Sequence, residues 1–416
     1  MAEDEVVQLC RDLIRIDSTN AGDNDGPGER AAAEYVAEKL SEVGLEATIL
    51  ESDDRRANVV ARIEGTDRTR EALLLHGHLD VVPFDADDWQ HHPLAGEIAD
   101  GCVWGRGAVD MKDMDAMILA VARRRLTENK PPSRDVVLMF TADEEAGGVY
   151  GAQFLVDKHP ELFEGVTEAI GEVGGFSVST ADNRRLYLIE AAEKGMAWMR
   201  VTAKGRAGHG SMLNSDNAVT ELAEAVARVG RYEWPVRLTP TMRRFQEETE
   251  GVDLGPLERM IGAGLRNTVN PTMLQAGYKT NVIPTTAEAV IDGRFLPGFE
   301  EEFFATVDEL LGPNVTREFV QHQVALEFEF EGPLVSAVVE ALKQEDPEGT
   351  AVPYTMSGGT DLKAFSRLGI RGYGFAPLRL PQDLDFSGMF HGVDERVPVD
   401  SLQFGVRVLD RFLDLC

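Results

Sequence analysis

Along its first 190 residues the chain switches repeatedly between two hydrophobic textures. Residues 4–16, 29–43 and 113–127 carry apolar side chains three and four positions apart, which predicts amphipathic helices. Residues 57–63, 72–76 and 136–141 are short, mostly apolar runs and, with the less apolar 167–172, predict strands. Alternation of this kind predicts an α/β domain, with a mixed, largely parallel sheet flanked by helices. Ligand sites in such folds lie beyond the carboxyl ends of the strands. His78, Glu144 and Glu172 each stand where a strand pattern has just ended.

Near Lys194 the texture changes. Residues 196–203 alternate like a half-exposed strand, 216–229 and 300–311 are helical, and 287–295 and 324–331 read as further strands. Two helices against a small antiparallel sheet predict an α+β insert spanning residues 193–332. Residues 235–266 add helical material without an assigned role. From about residue 333 the first texture returns, with helices expected at 334–344, 361–368 and 400–415. The chain therefore leaves one domain, 1–192, builds a second, and comes back to complete the first with 333–416.

Composition narrows the function classes. The net charge of −31 argues against nucleic acid and anionic membrane surfaces as partners, because both would be repelled. An anionic substrate must then be captured by a local arginine. The acidic N-terminus lacks the texture of a signal peptide, no run is long enough to span a bilayer, and Cys10, Cys102 and Cys416 show no paired spacing. These features predict a cytoplasmic globular protein.

Six residues at five places in the chain suggest metal chemistry. His78 ends a strand, Asp110 sits in a glycine-rich turn, Glu144 and Glu145 follow 136–143, Glu172 follows 169–171, and His391 opens His-Gly-Val-Asp-Glu. Singly, each has an ordinary explanation: a satisfied histidine, a helix N-terminal acid, a solvated surface pair. Together they offer one histidine and one carboxylate to each of two divalent ions, with a further carboxylate to bridge them. Imidazole and carboxylate donors without thiolate suit zinc, manganese or cobalt in a hydrolytic site. Of the adjacent pair Glu144 and Glu145, one can bind metal while the other holds the attacking water, and spacing does not say which.

The segments HGHLDVVP, WGRGAVDMKDM, TADEEAGG, GEVGG, AGHGS, TNVIP, DGRFLPG, SGGTD and HGVDE follow one another in a familiar order. In this the chain resembles the dimetal amidohydrolase and metallopeptidase family of aminoacylase, acetylornithine deacetylase, succinyl-diaminopimelate desuccinylase and glutamate carboxypeptidase. The resemblance implies that His78 and Glu172 bind one metal, Glu145 and His391 the other, and that Asp110 bridges them, with a cis peptide bond after it. Glu144 is implied as general base and Asp80 as the partner that orients His78, while His76 is expected to be structural. The insert would be a ferredoxin-like lid and dimerisation domain. His209 would stabilise the oxyanion across a homodimer, and Arg294, Asn281, Gly358 and Gly359 would seat a substrate carboxylate.

Carbamoyl-amide hydrolases of this family use histidine where this chain has Glu172, which favours the deacylase and peptidase branch. Residues 377–386 match nothing in the family pattern and are candidates to shape an acyl pocket. The expected activity is metal-dependent hydrolysis of an amide or peptide bond next to a free carboxylate: an N-acyl amino acid deacylase or a di- or carboxypeptidase. The alternatives are a biosynthetic acetylornithine deacetylase or succinyl-diaminopimelate desuccinylase and, more remotely, a non-catalytic metal-binding or sensor protein.

Overall fold

The computed structural model describes residues 2–22, 24, 26–255 and 257–416. They fall into two compact units, one of Met1–Glu190, Phe330–Pro353 and Thr360–Cys416, the other of Ala191–Glu329 and Tyr354–Gly359.

The first unit is built on a mixed sheet. Six neighbouring strands of this ten-stranded sheet lie in the order Thr48–Asp53, Arg56–Ile63, Val136–Thr141, Ala72–His78, Val166–Gly171 and Arg371–Gly374. The last four run parallel to one another, while the first two join antiparallel. Parallel strands covered on both faces need side chains that are apolar throughout rather than alternating. Every residue of Val136–Thr141 and of Ala72–His78 is accordingly buried. The helices Ala2–Arg15, Lys112–Thr127 and Val399–Leu415 pack against one another beside this sheet. Lys112–Thr127 is buried around most of its circumference, including Met114, Met117, Ile118 and Leu119. Each such side chain contributes about 1.5–3 kcal/mol by leaving water. The helix is thereby a rigid support for the turn that precedes it.

Gly171, the last residue of its strand, is required by crowding. A Cβ added there would lie 2.1 Å from His76 Nε2. His76 itself is buried edge-on against Phe365, with ring centroids 5.0 Å apart, and burial pushes its imidazole down to about 3. It fills space in the core as a neutral ring.

The second unit has a four-stranded antiparallel sheet ordered Thr268–Ala276, Thr286–Phe295, Gly195–Lys204 and Val315–Gln323. With the helices Ala218–Arg231 and Glu300–Leu311 the chain order is β-α-β-β-α-β, the ferredoxin-like arrangement. Inward residues of the strands, such as Met199, Val201 and Ile291, join Leu222, Val229, Phe303 and Val307 of the helices in one core.

Two elements differ from expectation, and a third, Thr268–Ala276, has no counterpart in it. The strand expected at 324–331 is instead Val315–Gln323 followed by the short Leu326–Glu327. Val315–Gln323 lies at the sheet edge with most of its residues exposed, so its hydrophobic signal is weak. The helix expected at 361–368 is a single α turn, Leu362–Phe365, continued by a 3-10 turn that Gly369 ends at φ 79°. Thr268–Ala276 is a strand despite Pro271, which edge position permits. Residues 235–266 contain the helices Pro240–Glu248 and Leu257–Gly264. No helix among the described residues is long and apolar enough to cross a membrane.

Candidate metal centre

The parallel strands deliver their functional residues to one end of the sheet. His78 is the last residue of its strand and pairs with Thr141, after which the neighbouring strand turns through Ala142 and Asp143 into Glu144 and Glu145. On the other flank Gly171 leads into Glu172. The turns are sharp: Asp143, Val173 and His391 have φ of 64°, 55° and 58°. Left-handed backbone is costly for a β-branched residue, so Val173 is held there by its surroundings, immediately after Glu172.

Two triplets result, sharing one residue. His78 Nε2 stands 3.0 Å from Asp110 Oδ1 and 3.2 Å from Glu172 Oε2. His391 Nε2 stands 3.3 Å from Asp110 Oδ2 and 3.0 Å from Glu145 Oε2. Within each triplet one donor atom per residue lies within 4.8 Å of the others. Asp110 thus presents one oxygen to each histidine, and the peptide bond that follows it is cis.

The supporting contacts explain how these groups keep their places. His78 Nδ1 lies 3.0 Å from the backbone oxygen of Asp80, which holds a ring proton on Nδ1 and so reserves Nε2, once deprotonated, for a cation. The Asp80 carboxylate is farther from the ring, at 3.5 Å, and is mainly engaged elsewhere. It accepts the backbone N–H groups of Glu144 and Glu145, each at 3.1 Å, and the Asn20 amide at 2.8 Å. The expected orienting role for Asp80 is therefore divided: its main chain orients His78 and its side chain holds the Glu144–Glu145 turn.

Glu395 does the same for the loop bearing Asp110. Fully buried, it accepts the N–H groups of Gly107, Val109 and Asp110 at 3.1, 2.6 and 3.0 Å and pairs with Arg106 at 2.8 Å. Neither this clamp nor Asp361 was assigned from sequence, although both lie inside recognised motifs. Asp361 is buried, accepts from the Thr141 hydroxyl at 2.6 Å, and is pushed up to about 8 by burial and then by Glu172.

Electrostatics fit a cation site. Burial alone would lower the His78 imidazole, yet Glu172, Asp110 and Asp80 carry it well above its ordinary value. Hydrogen bonds donated to the Asp110 and Glu145 carboxylates carry His391 up to about 10. Burial, then repulsion from Asp110, pushes Glu145 up to about 7. Burial and Glu172 raise Glu144 well above the usual carboxyl range. Carboxylates crowded this way demand positive charge. Glu145 Oε1 is moreover buried without a hydrogen-bond partner, as expected of an atom reserved for an ion. Donor chemistry and the orphaned oxygen both match divalent metal.

His209, Asn281, Arg294, Gly358 and Gly359 all belong to the second unit. Two of them are brought together: Gly210 N–H donates to Asn281 O at 2.9 Å, and His209 pairs with Val282 in a short two-stranded bridge. His209 is exposed, with Nδ1 2.9 Å from Ser211 Oγ. Arg294 makes a two-pronged pair with Asp292 at 2.7 and 3.1 Å, which uses two of its five N–H donors.

Residues 74–415 match the model of peptidase family M20/M25/M40. The chain belongs to this family and is a metal-dependent hydrolase of amide or peptide bonds. It is 29% identical to aminoacylase-1 of Sus scrofa over 76% of this chain and 72% of that one. With aminoacylase-1 of Homo sapiens it shares 28% identity over 98% of this chain and 94% of the other. A metallo-carboxypeptidase from Sulfolobus solfataricus superposes with a TM-score of 0.79 at 19% identity, covering 99% of both chains, and has the same fold.

Proposed function

We propose that the chain is a dimetal hydrolase of N-acyl amino acids. The observation that carries this reading is the division of the two Asp110 oxygens between His78 and His391. In this reading His78 and Glu172 hold one ion, Glu145 and His391 the other, and Asp110 bridges them. Zinc suits the donor set, with manganese and cobalt as alternatives. Two divalent ions held by these residues would supply Lewis acidity and make bound water acidic enough to attack at neutral pH.

Glu144 then takes the proton of the attacking water and passes it to the leaving amine, a role suited to a carboxyl whose proton affinity is raised. Arg294 grips the substrate carboxylate with the donors not spent on Asp292, helped by Asn281 and the Gly358–Gly359 turn. His209 supports the oxyanion from the partner subunit of a homodimer, and the second unit serves as lid and dimerisation domain. Support for a dimer comes from the edge strand Thr268–Ala276, which exposes Met273 and Leu274, with Tyr278 just beyond it. Three free thiols, two of them buried, suit a reducing compartment such as the cytoplasm. The whole-length similarity to aminoacylase-1 favours N-acyl amino acids over dipeptides and over the biosynthetic deacylases.

The test is a turnover screen of N-acetyl, N-succinyl and long-chain N-acyl amino acids against dipeptides, with zinc, manganese and cobalt in turn. N-acyl amino acids are expected to be cleaved fastest. Near-normal turnover by fully metallated Glu144→Ala would sink the mechanism.

A further inference from the structure

A three-stranded sheet of Glu97–Ala99, Cys102–Trp104 and Arg396–Pro398 precedes and follows the loops of the metal centre in sequence. It also borders an open cleft of about 880 Å³, within the size range of small-molecule sites and lined by none of the candidate metal ligands. Arg379 and Arg396 line this cleft together with Ile98, Leu380, Leu384, Cys102 and Arg185, the last paired with Asp346.

Arg379 and Arg396 share one feature. Against 72 acidic residues there are 41 basic ones, yet among the described residues no ion pair engages Arg379 or Arg396. Each guanidinium instead lies over an aromatic ring, Arg396 at 4.6 Å from the Trp104 centroid and Arg379 at 5.4 Å from that of Phe404. Stacking fixes the guanidinium plane while leaving its N–H edge for an acceptor. Only one donor is spent, from Arg396 to Asp394 O at 2.8 Å. Three carboxylates, Asp100, Asp383 and Asp400, also reach the cleft, but they are exposed and solvated. The apolar side chains give the cleft a second character beside its two guanidinium groups without an ion pair.

We propose that this cleft binds a small organic anion, with a carboxylate or phosphate head held by Arg379 and Arg396 and a short apolar body against Leu380, Leu384 and Ile98. The site is separate from the metal centre and does not depend on the substrate assigned there.

Cys102 reports on it. Cys10 and Cys416 are buried, whereas Cys102 is half-buried at the cleft, so maleimide labelling of the full-length, metal-loaded enzyme at alkaline pH reads its occupancy. Sodium octanoate and octyl phosphate are the probes, with inorganic phosphate and leucine alongside. At least one of the two amphipathic anions is expected to slow labelling saturably, and the more potent head group identifies the natural one. Arg379→Ala is expected to weaken protection about ten-fold or more, Arg379→Lys less so, and Arg396→Gln to repeat the loss. The proposal is overturned if neither probe protects Cys102, if protection is equal in wild type and both arginine-removing variants, or if leucine protects as well as octanoate.

Discussion

The backbone N–H of Asp110 donates to Glu395 Oε1 at 3.0 Å, across 285 residues of sequence. The oxygen that receives it also takes the N–H of Val109, while the other takes Gly107 and Arg106. Glu395 therefore sets the position of the residue that both histidines address. Glu395→Ala should destabilise the fold by about 3–5 kcal/mol, because Arg106 is left buried without its partner. Glu395→Gln, which keeps the shape, should weaken metal binding by about 10–100-fold. Thermal melts and chelator competition measure the two effects, and unchanged metal affinity in the glutamine variant would show that the clamp is only structural.

Asp80 offers a complementary test. Its carboxylate holds the Glu144 and Glu145 amides, while its main chain serves His78. Asp80→Ala should lower turnover by roughly 10–100-fold while leaving the Nδ1 hydrogen bond of His78 in place. Metal content and kcat measured together decide the point: loss of metal with normal turnover per bound ion would contradict the division of labour.

Metal affinity should rise with pH. In the metal-free protein His391 is raised from 6.5 to about 10 by Asp110 and Glu145, so its proton stabilises the fold fully below about 6.5. That contribution fades as pH rises through about 10. A metal ligand must lose this proton, so affinity should improve by about ten-fold per pH unit for each proton displaced across that window. Calorimetry in buffers of differing ionisation heat counts the protons released. A flat affinity from pH 6.5 to 10 would remove His391 from the ligand set.

The edge strand of the second unit carries the dimer prediction. Leu274 is 64% exposed on Thr268–Ala276, and a charge there obstructs strand-edge association. Leu274→Lys should convert a dimer to a monomer in light scattering without lowering the melting temperature by more than a few degrees. A wild type that is monomeric at all concentrations would overturn the dimer itself.

Gly171→Ala should cost about 1–3 kcal/mol by overpacking, since the new methyl meets His76 Nε2. Combining it with His76→Ala should recover part of the loss. Additive losses in the double variant, read from denaturant midpoints, would show that the two positions do not conflict.

Much of this architecture was legible in the chain because burial leaves a periodic record. The runs at 72–76 and 136–141 are apolar up to His76 and Thr141 and buried along their whole length, as suits parallel strands covered on both faces. Where burial is slight the record fades. Thr48–Asp53 exposes much of its length, Thr268–Ala276 contains a proline and faces water, and the strands at Cys102–Trp104 and Arg396–Pro398 are too short to show a period. The residues proposed as ligands stood out because each follows a strand or glycine turn. Glu395 did not, because beside Asp394 it reads as one more surface acid, and only the folded chain shows it enclosed by three amides and an arginine.

His391 is synthesised hundreds of residues after His78, and Glu395 follows it. A chain still emerging from the ribosome can fold the strands that carry His78, Glu145 and Glu172 while the Asp110 loop has no clamp and one of its two triplets has no histidine. On the proposed ligand set, loading of both ions waits for the C-terminal segment to dock. A protein clipped ahead of residue 391 would lack His391, Glu395 and the helix Val399–Leu415 that packs on Ala2–Arg15 and Lys112–Thr127, and would be held at the half-built stage that every new copy passes through.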